Sequence, residues 1–428
     1  MAKSRLVVFD DGQGCFTPLC DLRAIFDQRT AACTTLERLE RVLGLHAEVL
    51  VTPEELAEVT RHRHPDVTVN ATPATWAADD EVWLINGRWL GLAEREAVLS
   101  LAAGHKLVDR EQTLVAAKIR WSSEEQQTLS AAALHARAAK LPAVQLDASL
   151  LIARPWHILD ALPALVMDDL LASPLPQVDE LHGQLSGIAL VTPLDQPAYA
   201  LHVAASARVS PGVVVDVTQG PVVIDEKAVV LPCAVLEGPC YVGRETTLAA
   251  HASLRPNACI GPHCKIGGEV SASIIQGYSN KAHLGYLGQS LVGEWCNLGA
   301  NTNVSNLKNT YGSVRVTLEP EDPRHKGYDP QTEDTGRMFQ GPILGDFVRT
   351  GIGTHILTGY VIHTACMIAS RPFAPALTQP FGFYTSEGDD VHRLDPLLTT
   401  VRRMMARREV QLPAAVENRL RAMHAQWA

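Results

Sequence analysis

The chain has 428 residues, more than one hydrophobic core usually serves, so we expect two or three domains. Hydrophobic residues make up 46% and charged residues 20%, a balance typical of folded globular proteins and not of disordered chains. Asp and Glu total 47 against 37 for Lys and Arg, and the resulting net charge of −10 argues against a general nucleic-acid binder.

Neither a membrane nor an oxidising compartment is indicated. No apolar stretch approaches the ~20 residues that a membrane-spanning helix needs. Residues 1–11 lack the apolar core of a signal peptide. The 9 cysteines include no CxxC pair, so neither a zinc ribbon nor a disulfide framework is signalled. We therefore expect a cytoplasmic protein with no membrane partner.

Residues 1–185 combine the strand and helix signals of an α/β domain. RLVVFDDGQG predicts a strand that runs into an acidic, glycine-containing turn, and EVWLINGRW predicts a second buried strand. Helices are predicted over 34–43, from a capping box that begins at Thr52, and over 122–141 with a capping box of Ser122 and Glu125. This alternation favours an open, mostly parallel sheet that binds ligands at the carboxyl ends of its strands. A proline-rich linker is expected over 173–197.

The second half of the chain contains a repeat of six residues. Every sixth position is aliphatic through eight units: Ile224, Val230, Leu236, Val242, Leu248, Leu254, Ile260 and Ile266. The position two residues earlier is small or β-branched each time: Val222, Ala228, Ala234, Cys240, Thr246, Ala252, Ala258 and Cys264. Glycines follow at Gly243, Gly261 and Gly267, where we expect tight corners. The period favours a solenoid of short parallel strands over a sandwich with coincidental spacing, and makes the two cysteines core fillers.

The repeat is interrupted and then resumes. The spacing returns at Val292, Leu298, Val304, Leu344, Thr350, Ile356, Ile362 and Ile368. Before it returns, the phase Ile274, Asn280, Tyr286, Val292 puts polar residues at two expected interior positions. Residues 305–340 leave the pattern and are rich in charges and turn formers. They are expected to form a loop that either builds a binding surface or is a simple insertion.

Two helices are predicted after a proline-rich segment at 371–380. The first opens at Asp395-Pro396, and the second has an apolar face of Val416, Leu420 and Met423. The basic residues of this tail form a solvated face, meet a neighbouring subunit or bind an anion: Arg402, Arg403, Arg407 and Arg408. The predicted domains are therefore 1–185, 200–375 and 376–428.

Residues 279–312, SNKAHLGYLGQSLVGEWCNLGANTNVSNLKNTYG, resemble a known family. It is the bacterial bifunctional UDP-N-acetylglucosamine diphosphorylase and glucosamine-1-phosphate N-acetyltransferase family, whose β-helix has KAGHLxYLGDxxIGxxxNIGAGT where this chain has KAHLGYLGQSLVGEWCNLGANT. HASLRPNACIG is similar to the family's LRPG stretch. VVFDDGQGCFTPL, Arg23, Arg29, TTLERL, WLINGRW and the tail DVHRLDPLLTTVRRMMARR resemble an alternative bacterial version with a divergent sugar nucleotidyltransferase domain.

The resemblance implies a fold and two activities. The fold is an α/β nucleotidyltransferase-like domain, a left-handed parallel β-helix of hexapeptide repeats and a helical tail. One activity joins an NTP to a sugar-1-phosphate with release of pyrophosphate and uses Mg²⁺. The other transfers the acetyl group of acetyl-CoA to an amino-sugar phosphate. The family assembles as a homotrimer with the acetyl site between subunits, and CoA contacts are expected along residues 350–364.

Acetylating an amine needs a base, and His283 matches the family's catalytic histidine. An imidazole titrates near neutral pH, although a lone histidine is more often held by a backbone carbonyl. Arg255 offers two parallel donors to a sugar phosphate, or else forms a surface ion pair. Tyr286, Asn297 and Asn306 match positions that contact the sugar or the acyl centre, and each could instead satisfy buried backbone groups.

The nucleotide and sugar-phosphate site is assigned to residues near the first and second strands: Asp11, Gly12, Gly14, Arg23, Arg29, Asn86 and Gly87. The glycines allow close backbone approach to phosphates and the arginines supply counter-charge, although DGQG alone also fits a simple turn. The metal ligands are left unknown, with Asp10, Asp11 and Asp160 as candidates.

The chain departs from the family's pattern at four places. Ser271 stands where the family has a second lysine, and Asn306-Leu307 where it has Asn-Tyr. Asn86-Gly87-Arg88 replaces Gly-Asp, and Trp156-His157 replaces Trp-Asp. The acceptor sugar is therefore open. Two alternatives also stay open, an acyltransferase whose front domain only binds a nucleotide sugar and a non-catalytic β-helix scaffold.

Overall fold

The computed structural model describes residues 3–121, 128–177, 187–195, 197–319 and 331–427. The chain forms two compact units. Unit 1 comprises Met1–Phe16, Leu22–Arg154 and Pro413–Leu420, and unit 2 comprises Thr17–Asp21, Pro155–Leu412 and Arg421–Ala428. Residues 155–171, which the sequence-based bounds assign to the first domain, cluster with unit 2.

Unit 1 is built on a seven-stranded mixed sheet. Its strands are β1 (Ser4–Phe9), β2 (Ala47–Val51), β3 (Thr68–Val69), β4 (Glu81–Asn86), β5 (His105–Val108), β6 (Leu114–Arg120) and β7 (Ala143–Gln145). Their order is β3-β2-β1-β4-β6-β5-β7, and only the pairs that involve β6 are antiparallel. Leu6 and Val8 pack on one face and Val7 and Phe9 on the other, as expected for strands that are covered on both sides. The predicted open, mostly parallel sheet is confirmed.

The helices of unit 1 match the predictions in part. They are α1 (Thr35–Leu43), α2 (Ala57–Arg63), α3 (Arg95–Leu99) and α4 (Ala131–Ala139), with 3₁₀ turns at Ile25–Asp27 and Glu54–Leu56. Thr34 and Glu37 form the capping box of α1. The box predicted at Thr52 is wrong, because the backbone N–H and C=O of Thr52 bond instead to the side-chain amide of Asn70. The box predicted at Ser122 lies outside the described residues, and Ser130 caps α4.

Unit 2 begins with α5 (Pro155–Leu171) and continues as a parallel β-helix with three sheets. The first sheet contains Arg208–Val209, Val229–Val230, Thr247–Leu248, Lys265–Ile266 and Asn280–Lys281. The second contains Ala189–Val191, Val214–Asp216, Val235–Glu237, Ser253–Leu254, Glu269–Ser271 and Tyr286–Gly288. The third contains Leu201–Val203, Val222–Ile224, Cys240–Val242, Ala258–Ile260, Ile274–Gly277, Leu291–Glu294, Ile343–Leu344 and Val361–Ile362. Ala189–Val191 therefore makes part of the predicted linker a strand of the β-helix.

The later coils add shorter sheets and the chain ends in two helices. Asn303–Val304 pairs with His355–Ile356, and Arg315–Thr317 pairs antiparallel with Thr332–Asp334 inside the predicted excursion. A last sheet contains Arg349–Thr350, Met367–Ile368, Gly382–Tyr384 and Asp389–Val391. The helices are α6 (Leu394–Ala406) and α7 (Ala414–Trp427), and α7 buries Leu420 and Met423 as predicted. Within the described ranges, no helix combines the length and the apolar character needed to cross a membrane.

The six-residue period is confirmed as the interior of the β-helix. The eight aliphatic residues from Ile224 to Ile266 are all fully buried, and Leu236 pairs with Leu254 one coil on. Cys240 and Cys264 are buried among them as core fillers. Position 261 requires glycine for a different reason from the one expected, because an added Cβ would lie 2.0 Å from the backbone oxygen of Gln276. Close approach between coils, and not a corner, excludes a side chain there.

The interior phase predicted between Ile274 and Val292 is wrong by one residue. Ile266 stacks on Lys281, not on Asn280, and Val270 stacks on Leu287, not on Tyr286. The coil shortens where the chain passes Gly267 and Gly268, and a slip of one residue turns every side chain of a strand to the other face. Asn280 and Tyr286 therefore lie on the outer surface, and a lysine occupies the interior.

Candidate functional site

His283 lies on a corner of the β-helix between two sheets. The first-sheet strand Asn280–Lys281 precedes it and the second-sheet strand Tyr286–Gly288 follows it. Its side chain is exposed, and no hydrogen-bond partner of its ring is found in the part of the chain that the structure describes. The alternative of a histidine held by a backbone carbonyl is therefore not what this structure contains. The ring is accessible to a ligand and able to accept a proton.

Lys281 holds this corner from inside the β-helix. Only 3% of the residue is exposed, and its Nζ donates to the carbonyls of Gly267 at 2.8 Å and His283 at 3.1 Å. Burial lowers the pKa of the Lys281 ammonium to about 8. Burying a cation among aliphatic side chains is unfavourable, and the two hydrogen bonds to carbonyl groups offset part of this cost for Lys281. Sequence reasoning missed this role, although the lysine is part of the KAHLG motif.

Replacing Lys281 by methionine is expected to change how stability depends on pH. Folding lowers the pKa of Lys281, so the protonated lysine destabilises the fold below pH 8. This destabilisation disappears as the pH rises towards the ordinary pKa of a lysine. Between pH 7 and 10.5, wild type should gain ~3 kcal/mol of unfolding free energy relative to Lys281→Met. Urea unfolding of both proteins across this range measures the gain. The exposed Lys265→Met is the control, and no gain over Lys281→Met would show that the ammonium is not buried.

The outer surface of the second sheet brings Tyr286 and Asn306 together. Asn306 Nδ2 donates to the hydroxyl of Tyr286 at 2.9 Å and also contacts Gln289 Oε1. Burial raises the pKa of the Tyr286 phenol, so it stays protonated and can donate. The Tyr286 ring lies over Gly288, where a Cβ would meet the hydroxyl at 2.1 Å. Gln289 is a further polar group of this surface that sequence reasoning missed.

Arg255 lies on the same sheet and Asn297 does not. Arg255 Nη1 is 3.4 Å from Glu237 Oε1 and its side chain is half-exposed, so the ion pair considered from the sequence is present. Asn297 accepts from Asn280 Nδ2 at 3.3 Å, beside the first sheet. His283 is thus flanked by a polar surface on each side. Lys308, the residue after the departure at Asn306-Leu307, donates to the Ser313 carbonyl at 2.7 Å.

Unit 1 has a cavity of about 290 Å³ at the carboxyl ends of β1, β2 and β3. Asp11 and Gly12 line it from the loop after β1, and Asn70 from the segment after β3. Ser130 and the first residues of α4 close another side, which places helix N–H groups at the cavity. The position agrees with the expectation for an open parallel sheet, and such N–H groups favour an anionic ligand.

Of the three carboxylates that line this cavity, Asp10 and Asp11 are engaged by several hydrogen bonds, and Glu54 Oε2 lies 3.5 Å from Asn70 Nδ2. Asp11 accepts from Arg88 Nε at 2.8 Å and Nη2 at 2.6 Å, and from Asn86 Nδ2 at 2.8 Å. Asp10 accepts from the backbone N–H of Gly12 and of Ile25. Burial raises the pKa of the Asp10 carboxyl, against the effect of these two hydrogen bonds.

Asp11 does not fit as a ligand of a magnesium ion. Each of its carboxylate oxygens already accepts two N–H groups, from Arg88, Asn86 and the backbone of Gln13, whereas Mg²⁺ needs free oxygen ligands in a near-octahedral arrangement. Asp160 belongs to unit 2, where it pairs with Arg337. Among the described residues, no group of three potential metal ligands is found.

The other predicted phosphate ligands do not line the cavity. Arg23 and Arg29 are buried, and Arg29 Nη1 donates to the carbonyl of Ala32, so their phosphate contacts stay a prediction. Gly14 has a φ of 82°, and a Cβ there would lie 2.7 Å from the ring of Phe16. The N–H of Gly87 donates to the carbonyl of Phe9 at 2.7 Å. Gly14 and Gly87 thus lie in close contact with neighbouring residues of unit 1, and their phosphate contacts also stay a prediction.

Comparison with known proteins matches residues 6–172 to a family model described as sugar nucleotidyl transferase. Bifunctional protein GlmU of Methanocaldococcus jannaschii is 28% identical over 156 residues, 36% of each chain. Bifunctional protein GlmU of Methanococcus aeolicus is 32% identical over 157 residues, again 36% of each chain. A bifunctional sugar-1-phosphate nucleotidylyltransferase/acetyltransferase of Sulfurisphaera tokodaii is 34% identical over 146 residues, 34% of each chain.

The chain spans about a third of the length of these curated relatives. Among solved structures, a hexapeptide transferase family protein from Anaplasma phagocytophilum aligns with 56% of this chain and 96% of its own. Its TM-score of 0.19 and 11% identity are too low to say anything about fold or activity. The resemblance predicted from the sequence is confirmed by the family model and the curated relatives.

Proposed function

We propose that this chain is a transferase of nucleotide-sugar synthesis with one activity in each unit. Unit 2 transfers the acetyl group of acetyl-CoA to an amino-sugar phosphate, and unit 1 joins an NTP to a sugar-1-phosphate. The observation that most supports the proposal is the exposed His283 on a β-helix corner between two polar surfaces. We further propose that the protein is cytoplasmic, and that it forms the homotrimer that its family resemblance implies.

In the proposed acetyl transfer, the amine nitrogen attacks the thioester carbonyl and the C–S bond breaks. His283 accepts the proton that the amine loses, and the CoA thiolate leaves. The described ring has no competing hydrogen bond, so it is free to meet the substrate. Lys281 fixes the backbone of this residue through its carbonyl and thereby limits where the ring can reach. Tyr286 and Arg255 supply donors for the sugar phosphate on the second sheet, and Asn306 orients the Tyr286 hydroxyl by donating to it.

In the proposed nucleotidyl transfer, the cavity of unit 1 holds the phosphates against the N-terminal end of α4. Asp11 is locked by Arg88 and Asn86, so it orients this part of the loop after β1. We derive no step through a magnesium ion, because Asp11 is closed to it and no group of three potential metal ligands is found among the described residues. The family model that covers residues 6–172 supports this assignment.

Two assays on the full-length chain test the proposal. Free thiol released from acetyl-CoA is followed with a panel of amino-sugar phosphates, and pyrophosphate release is followed with NTPs and sugar-1-phosphates in the presence and absence of Mg²⁺. Both products are expected. Thiol release without pyrophosphate would leave an acyltransferase whose front domain only binds. Neither product with any acceptor would favour a non-catalytic scaffold and contradict the proposal.

A further inference from the structure

Arg349 is a half-buried arginine on the strand Arg349–Thr350 of unit 2. It lies next to Asn297 on the adjacent coil, and Asn297 lies next to Asn280 on the coil before. Its Nη2 is buried without a hydrogen-bond partner, and no ion pair of this residue is found in the described residues. Burial lowers the pKa of the Arg349 guanidinium, and the opposing effect given within the described residues comes from the Cys366 thiol and not from a carboxylate.

Arg408 approaches the same asparagines from the segment after α6. Its Nη2 donates to Asn280 Oδ1 at 2.6 Å, and Asn280 in turn donates to Asn297 Oδ1 at 3.3 Å. Arg408 is half-buried, and burial lowers the pKa of its guanidinium. Like Arg349, it has no ion pair within the described ranges. The neighbouring Arg403 is exposed on α6. Two arginines thus flank one pair of asparagines.

An arrangement of this kind is incomplete without an anion. Desolvating a guanidinium is unfavourable unless a negative group compensates it, and this chain has an excess of acidic residues that could have done so. A guanidinium presents planar donors that match two oxygens of a phosphate. Successive strands lie about 4.8 Å apart, so Asn280 and Arg349 are about 10 Å apart along the row.

We propose that Arg349 and Arg408 bind a phosphate group of a ligand on the first sheet, with Asn280 and Asn297 between them. Asn280 precedes His283 by three residues, so the ligand is a substrate of the same corner. This last step rests on the proposed acetyl transfer. The phosphate belongs to CoA, or else to the amino sugar in place of the contact with Arg255 on the second sheet, and the chemistry of recognition is the same for both.

Calorimetric titration of the full-length protein tests the site without any turnover. The probes are inorganic pyrophosphate, CoA, 3′-dephospho-CoA and glucosamine-1-phosphate. Arg349→Gln and Arg408→Gln are expected to raise the Kd for the phosphate-bearing ligand ~10- to 100-fold. Arg403→Gln removes the same charge from exposed α6 and is expected to leave the Kd unchanged. Arg349→Lys keeps the charge and should recover part of the loss, which separates recognition from misfolding.

The probes distinguish the source of the phosphate. If the 3′-phosphate of CoA is bound, wild type binds 3′-dephospho-CoA more weakly than CoA. Arg349→Gln then does not weaken the binding of 3′-dephospho-CoA any further. If the sugar phosphate is bound, the variants weaken glucosamine-1-phosphate alone. Pyrophosphate binding that depends on Arg349 would support the site even if wild type showed no acetyl transfer, which would then contradict only the proposed function. Equal Kd values in wild type, Arg349→Gln and Arg408→Gln, or no binding of any probe, would overturn the site.

Discussion

His283→Ala is expected to reduce thiol release from acetyl-CoA by ~10²- to 10⁴-fold, the range that a positioned general base contributes. The side chain is exposed and has no described partner, so its removal should leave the fold intact. The loss should therefore fall on kcat, while the KM for acetyl-CoA changes little. Steady-state kinetics of thiol release with the acceptor found for wild type measure both.

The matched control is His251→Ala. His251 is also an exposed histidine on a corner of the β-helix, in a coil before the predicted site, and its φ is 60°. Full activity is expected in this variant, because no predicted substrate contact involves it. If His283→Ala kept the wild-type kcat, His283 would not be the base. An equal loss in both histidine variants would point to a general effect of corner substitutions.

The six-residue period predicted the β-helix because the interior of a β-helix needs an aliphatic side chain at each turn, and the sequence shows this recurrence directly. Aliphatic side chains from Ile224 to Ile266 recur at each turn and all are buried. The period could not predict the phase after Ile266. Coil length there depends on how closely the backbone of successive coils can approach around Gly267 and Gly268. The shorter coil at that point places Lys281 in the interior and the half-buried Tyr286 on the outer surface.

The candidate sites were predictable only where residues are close in the chain. His283 and Tyr286 share one short motif, and the structure keeps them on one corner. The pairing of Asp11 with Arg88 joins residues 77 positions apart, and it depends on β1 and β4 being neighbours in the sheet. Arg349 and Asn280 are likewise joined by the stacking of coils across the excursion. The spacing of residues along the sequence does not reveal contacts of this kind.

The second large effect is expected from Asp11→Ala in unit 1. The side chains of Asp11 and Arg88 are 1% and 6% exposed, so the substitution leaves a buried guanidinium without its counter-charge. Removing one partner of a buried pair typically costs ~3–5 kcal/mol, and we expect the unfolding free energy of unit 1 to fall by that amount. Urea unfolding with hydrogen exchange of β1 and β4 measures it. Asp66→Ala, an exposed aspartate of the same unit, should stay within about 0.5 kcal/mol of wild type.

The dependence on pH gives the same pair a second test. Burial acts to raise the pKa of the Asp11 carboxyl, but the hydrogen bonds and charge of Arg88 outweigh it and lower that pKa below its ordinary value. A carboxyl whose pKa is lowered on folding stabilises the protein above its ordinary pKa, near 4, and loses this contribution as pH falls through the folded value. Wild-type unit 1 should therefore lose more stability than Asp11→Ala between about pH 5 and pH 2. Parallel stability curves for the two proteins would show that Arg88 does not hold Asp11 ionised. That result would also contradict the interpretation of Asp11 as an engaged carboxylate that is closed to a metal ion.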